Sequence, residues 1–271
     1  MTAGTFVTAD GVRLCLDDSG GPGAPVFFQH GLCGDAGQTR EAFPNDLGLR
    51  RLTLEMRGHG RSEPGALSRL SIATFTDDLI LAIERLGAGP VAVGGISMGA
   101  AIALRLAVIR PDLVRALVLV RPAWVLERAP RNMRPNAEVG ELIAAHGGEA
   151  GREMFEAGGT ARRLAEEAPD NLASLRGFFR REPLPVTSAL LRAISVDGPG
   201  VAPEAVARLR VPALVLGCKQ DVIHPLAHAE SLAGLVPGAR LAEITPKGSD
   251  RARSIADLHQ ALSRFLLELP R

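Results

Sequence analysis

The chain has 271 residues, 46% of them hydrophobic, and carries 31 Lys plus Arg against 30 Asp plus Glu for a net charge of +1; this is enough for one large domain, or one domain with an insert. Balanced charge spread along the chain argues against a nucleic-acid partner, and apolar runs such as Ala116 to Val120 and Ala213 to Gly217 fall far short of the roughly 20 residues that cross a bilayer, so no membrane partner is expected. Three cysteines, Cys15, Cys33 and Cys218, lack C-x-x-C spacing, and the N-terminus has no basic region followed by an apolar run; a reducing cytoplasm, with no disulfide framework or structural zinc, is expected.

In chain order, Thr5 to Thr8 and Arg13 to Leu16 read as a hairpin across Asp10-Gly11. Further strands are predicted at Pro25 to Gln29, Arg51 to Glu55, Val91 to Gly94 and Leu113 to Val120. Between them lie helices at Ile72 to Leu86, with Ser71 as cap, and Met98 to Ile109; Gly87 and Pro111 mark their ends. After Pro122 the strand signal disappears. Val139, Leu142, Ile143, then Leu172, Leu175, Phe179, and Leu190, Leu191, Ile194 follow helical spacing, with Asp170 as an expected N-cap. Strands return at Pro212 to Gly217 and Arg240 to Thr245, before a terminal helix from Arg251 to Leu267. The pattern is a parallel α/β core interrupted by a helical insert. From Arg121 to Arg181 the insert holds ten Arg and nine acidic residues; this mixture reads as a solvated face. Its Trp124, Met133, Met154, Phe155, Phe178 and Phe179 cover one another or the mouth of a pocket.

Val91-Ala-Val-Gly-Gly-Ile-Ser-Met-Gly-Ala-Ala-Ile-Ala-Leu is a buried strand, a sharp turn and a buried helix, with Ser97 at the apex of a G-x-S-x-G pattern. Such a turn exposes the serine hydroxyl on a strained backbone and needs small neighbours where strand and helix approach. The start of the helix aims backbone N–H groups at any negative charge that develops beside the serine. The spacing is not that of a dinucleotide loop. Upstream, Gln29-His30-Gly31-Leu32-Cys33-Gly34 is a strand end and a turn able to present a backbone N–H to an oxyanion, as is Met98 N–H. His30 is expected to shape its loop, and is also a candidate substrate contact. His59, in Arg57-Gly58-His59-Gly60-Arg61-Ser62, is expected to shape a turn.

The order of H-G-L, R-G-H-G-R-S, G-x-S-x-G, a helical insert and a strand ending in Gly217-Cys-Lys-Gln-Asp221 resembles the α/β-hydrolase superfamily, in the branch with a cap after the sixth strand. The resemblance covers essentially the whole chain. It implies a mostly parallel eight-stranded sheet with helices on both faces, core segments 1–122 and 209–271, and a helical cap over 123–208. It also implies Ser97 as nucleophile, Leu32 and Met98 N–H groups as oxyanion hole, and Asp221 as the acid of the triad. Glu55 stands where the family has Asp. Arg121 and Trp124, at the end of the sixth strand, are candidates for lining the substrate site.

The family's histidine after the last strand is missing, because that loop reads Glu243-Ile-Thr-Pro-Lys-Gly-Ser-Asp250-Arg251. A serine hydroxyl needs a base, usually an imidazole with a pKa near the operating pH. Three alternatives follow. His224, on the loop of Asp221, takes the role of base or touches substrate; Asp250 or Lys247 stands in for it; or serine chemistry is lost and the pocket serves a lyase-like or isomerase-like reaction or binds a small molecule. His146, His228 and His259 fit ordinary helix positions. The expected activity is hydrolysis of an ester, lactone or related acyl bond of a small to medium apolar molecule, with no cofactor or metal, and the expected partner is that substrate alone.

Overall fold

The computed structural model describes residues 2–269. The first strand, β1 (Thr2–Val7), turns through Gly11, whose φ of 82° only glycine adopts readily, into β2 (Arg13–Asp18). There follow β3 (Pro25–Gln29), α1 (Ala36–Ala42), β4 (Arg50–Leu54), α2 (Ile72–Arg85), β5 (Val91–Ile96), α3 (Met98–Ile109) and β6 (Val114–Val120). The expected hairpin and strands are present, with ends displaced by a few residues. β5 runs two residues beyond the predicted end and delivers the chain directly to Ser97. Ser71 caps α2 by accepting the Thr74 N–H.

Between β6 and β7 (Ala213–Gly217) the chain forms α4 (Arg134–His146), α5 (Gly148–Ala157), α6 (Gly159–Glu167), α7 (Pro169–Phe178), α8 (Leu184–Ser195) and the short α9 (Pro203–Val206). Then come α10 (Leu226–Leu235), β8 (Arg240–Glu243) and α11 (Arg251–Leu267). The expectation that Asp170 caps a helix is corrected: α7 starts two residues earlier than that, at Pro169 with Ala168 as its N-cap, and the fixed φ and missing N–H of proline suit a first helical position. Asp170 therefore lies within the first turn and faces Lys247 instead.

The eight strands form one sheet in the order β1-β2-β4-β3-β5-β6-β7-β8, antiparallel at β1-β2-β4 and parallel from there on. Alternation along each strand feeds two cores. Phe27, Val93, Leu117 and Val215 face α2, α3 and α10, and Val26, Ala92, Val118 and Leu214 face α1 and α11. The helices after β6 have a small core of their own, with Val139, Phe155, Leu164, Leu175 and Phe179 at its centre. No helix among the described residues is long and apolar enough to cross a membrane.

Candidate active site

Ser97 sits between β5 and α3 with φ 56° and ψ −108°, a left-handed conformation that a non-glycine residue adopts only when its surroundings enforce it. Two glycines permit the turn: a Cβ on Gly99 would lie 2.5 Å from the Gln29 carbonyl oxygen, and one on Gly95 would lie 2.7 Å from the same atom. The Ser97 N–H is anchored to the Val120 carbonyl at 2.9 Å, and its own carbonyl accepts the Ala100 N–H at 3.0 Å. Met98 N–H precedes the first of these helical bonds and is one of the donors every helix start leaves unmatched.

Facing the serine is the loop after β3, whose polar groups are nearly all engaged. Gly31 donates its N–H to Gln38 Oε1 at 2.7 Å, and its carbonyl accepts from His30 Nδ1 at 2.8 Å. Cys33, at φ 59°, donates its N–H to His59 Nε2 at 3.0 Å and accepts from Arg181 Nε at 3.1 Å. The Leu32 N–H between them has no acceptor among the described residues. Burial pushes the Cys33 thiol up to about 12, so it stays protonated near neutral pH.

Glu55 stabilises the next turn, accepting the Arg61 N–H at 2.9 Å and the Ala36 N–H at 3.3 Å. Gly60 is required there, since a Cβ would lie 2.3 Å from the Glu55 carboxyl carbon. His30 and His59 stack at 4.7 Å between ring centroids, fully buried. Each donates from Nδ1 to a carbonyl, of Gly31 and Arg57, and accepts a backbone N–H at Nε2, from Met56 and Cys33. Both are therefore neutral rings with both nitrogens engaged, and burial lowers both pKa values.

The acid loop is organised around Asp221. Its carboxylate accepts from the Arg121 guanidinium, from Asn171 Nδ2 at 3.0 Å, from the His224 backbone N–H at 2.9 Å and from His224 Nδ1 at 3.0 Å. Burial works against its charge, but His224 and Arg121 more than offset this and hold the carboxyl far below the usual range. Since an ionised carboxylate only accepts, the Nδ1 of His224 carries its proton, and the Arg121 Nη2 3.4 Å away is a contact rather than a donor to it. The Nε2 of His224 has no hydrogen-bond partner among the described residues. Asn171 completes the loop by accepting the Val222 and Ile223 N–H groups.

Ser97, Leu32, Arg121 and His224 line one cavity of about 370 Å³, together with Met133, Phe178 and Lys247. Two expectations are corrected here. His30 does not line the cavity, because both ring nitrogens hold backbone beneath the loop. Trp124 does not either: its ring is buried in the sheet core and Nε1 donates to the Asp197 carbonyl at 2.9 Å. In the loop after β8, Asp250 caps α11 by accepting the Arg253 N–H, and Lys247 faces Asp170 at 3.4 Å. Sequence reasoning missed Asn171, whose signal, an asparagine amid helical periodicity, is indistinguishable from a surface residue.

The family model of the alpha/beta hydrolase fold matches residues 24–248. The chain belongs to this family. A pyrrolizixenacetamide deacetylase from Xenorhabdus hominickii is 26% identical over 238 residues, covering 86% of each chain. Among solved structures, Rv0554 from Mycobacterium tuberculosis superposes with a TM-score of 0.74 at 24% identity over all of both chains. The enol-lactonase from Burkholderia xenovorans LB400 gives 0.73 at 22% identity, covering 98% of this chain and 100% of that one. In this α/β-hydrolase chain Asp221 and His224, in contact through Nδ1, lie on one loop, three residues apart.

Proposed function

We propose that the protein is a hydrolase of an ester, lactone or related acyl bond in a small to medium-sized molecule, with Ser97 as nucleophile. One observation carries this reading. Asp221 holds His224 by Nδ1 and leaves its Nε2 without a partner, and His224 lines the same cavity as the strained Ser97. In the proposed reaction the Ser97 hydroxyl adds to the substrate carbonyl and gives its proton to His224 Nε2. The carbonyl oxygen, now an anion, accepts from the Leu32 and Met98 N–H groups. Collapse of the adduct expels the alcohol or amine, which takes the proton from His224, and leaves an acyl-serine. Water, deprotonated by the same imidazole, then releases the acid. Asp221 stays ionised throughout and stabilises the imidazolium. The helices between β6 and β7 act as a cap: Met133 and Phe178 enclose the apolar part of the substrate, while Phe155 and Phe179, with rings 5.7 Å apart, hold the cap together.

Labelling with a fluorophosphonate tests the proposal. Ser97 is expected to be labelled at neutral pH, and a panel of short-chain esters is expected to be turned over, with both lost in Ser97→Ala. An unlabelled Ser97, together with no turnover above that control, overturns acyl transfer and leaves a pocket for a non-hydrolytic reaction or for binding alone.

A further inference from the structure

Three cations line the cavity in front of Ser97, and they are not equivalent. Arg121 is paired with Asp221, and Lys247 faces Asp170. Arg181, just ahead of α8, has no carboxylate within ion-pair distance among the described residues. Its guanidinium donates from Nε to the Cys33 carbonyl at 3.1 Å, from Nη2 to the Gly58 carbonyl at 2.8 Å and from Nη1 to the Thr187 hydroxyl at 2.8 Å. All three acceptors are neutral. A half-buried guanidinium held this way keeps its full charge and two unused N–H groups. Charges removed from water are normally paired, so a cation fixed in a cavity wall without a counter-ion is a place for an anion.

Asn136, on α4, supplies an independent observation. It is only 5% exposed and lines the same cavity, yet its carboxamide oxygen is buried without a partner and its nitrogen makes no hydrogen bond to any described residue. The neighbouring Asn171 shows the contrast, with three hydrogen bonds to the acid loop. The Asn136 NH2 group is therefore a donor without an acceptor on the cavity wall, while its oxygen, which only accepts, is no partner for an anion.

We propose that the cavity takes an acyl substrate bearing a carboxylate, with Arg181 as its counter-ion and the Asn136 carboxamide nitrogen as a second donor; this deepens, and rests on, the hydrolytic reading of Ser97. A carboxylate is planar and only accepts, which matches the free N–H groups of a fixed guanidinium. Leu32, Met133, Leu175, Phe178 and Ile223 are the apolar wall for the methylene chain between the carboxylate and the reacting carbonyl.

Matched esters separate charge from size. The p-nitrophenyl monoester of adipate and p-nitrophenyl hexanoate have acyl chains of equal length and differ at the far end. The expected kcat/KM ratio favours the charged ester by roughly tenfold or more at low salt, as a charge-assisted hydrogen bond would provide, and shrinks as salt is added. Arg181→Met is expected to abolish the preference, Arg181→Lys to retain part of it and Asn136→Leu to lower it several-fold. Calorimetric titration of Ser97→Ala protein with adipate reads the same site without turnover, and the heat is expected to vanish in the Ser97→Ala, Arg181→Met double variant. If both esters are hydrolysed without preference for the charged one, or if neither Arg181→Met nor Asn136→Leu changes the ratio, the anion site is wrong and the hydrolytic reading survives. If neither ester is hydrolysed but adipate binds in an Arg181-dependent way, the hydrolytic reading fails and the anion site stands. Absence of both turnover and binding overturns both.

Discussion

Three histidines stand at the carboxyl ends of the strands, His30 after β3, His59 after β4 and His224 after β7, and two of them are built differently from the third. His30 and His59 lie stacked beneath the loop that faces Ser97, with all four ring nitrogens bonded to backbone. Only one nitrogen of His224 is engaged; Asp221 fixes the ring through Nδ1 and Nε2 is without a partner among the described residues, in a side chain that lines the cavity. The difference shows that the availability of an imidazole is decided by where the nearby backbone donors and acceptors lie. In the first region bare N–H and C=O groups of two glycine-rich turns absorb the rings. In the second, Asn171 and the His224 backbone N–H satisfy the loop, so the ring needs only its carboxylate.

The largest expected effect tests this division directly. His224→Gln is expected to lower kcat/KM on any hydrolysed ester by about 10²- to 10⁴-fold, the usual range for a lost general base, while moving the melting temperature by at most about 3 °C. Steady-state kinetics and a thermal melt check it. Unchanged turnover would show that the free Nε2 is not the base.

The opposite pattern is expected on the other side. His59→Leu removes the acceptor of the Cys33 N–H and leaves a buried donor unmatched, a loss of about 1–3 kcal/mol. Because Cys33 adjoins Leu32, turnover should fall together with the urea midpoint, whereas in His224→Gln it should fall alone. A His59→Leu protein of full stability and reduced turnover would erase the distinction between the two regions.

Most of this architecture was legible in the sequence, because period-two strands, period-three-to-four helices and the Gly95-Ile-Ser97-Met-Gly99 turn are local signals. So was the missing histidine after β8. The residues that complete the site are not local. Asn171 reaches Asp221 across 50 positions of chain, and Arg181 reaches Cys33 across 148. No spacing rule links such pairs. Trp124 misled for the opposite reason: its place at a strand end suggested the pocket, but a large indole with one donor found its acceptor, the Asp197 carbonyl, within the core.

A smaller effect follows from proton linkage and sharpens the same comparison. Burial lowers the pKa of His30 and His59, and of His228, whose Nδ1 is buried without a partner. In the unfolded chain each titrates near its ordinary value of about 6.5. Below that pH the unfolded state binds protons that the native state refuses, so stability is complete above about pH 6.5 and declines as pH falls toward the native values, by at most about 1.4 kcal/mol per pH unit for each group. Carboxylates act lower. Arg57, foremost through its hydrogen bond, lowers Asp10, and Arg50 likewise lowers Asp18; for Asp17 and Asp221 burial opposes the charge and their cationic partners prevail. These groups contribute stability above about pH 4, the range of free carboxylates, and lose it as pH falls through their depressed native values. Urea midpoints measured between pH 8 and pH 3 should therefore be level at the top, decline through the histidine window and steepen below about pH 4. In His59→Leu the upper decline should be shallower by about one proton's slope. A level midpoint from pH 7 to 5 in the wild type would mean that the stacked pair accepts protons in place, and that its bonds to Met56 and Cys33 are not what keeps the two rings neutral.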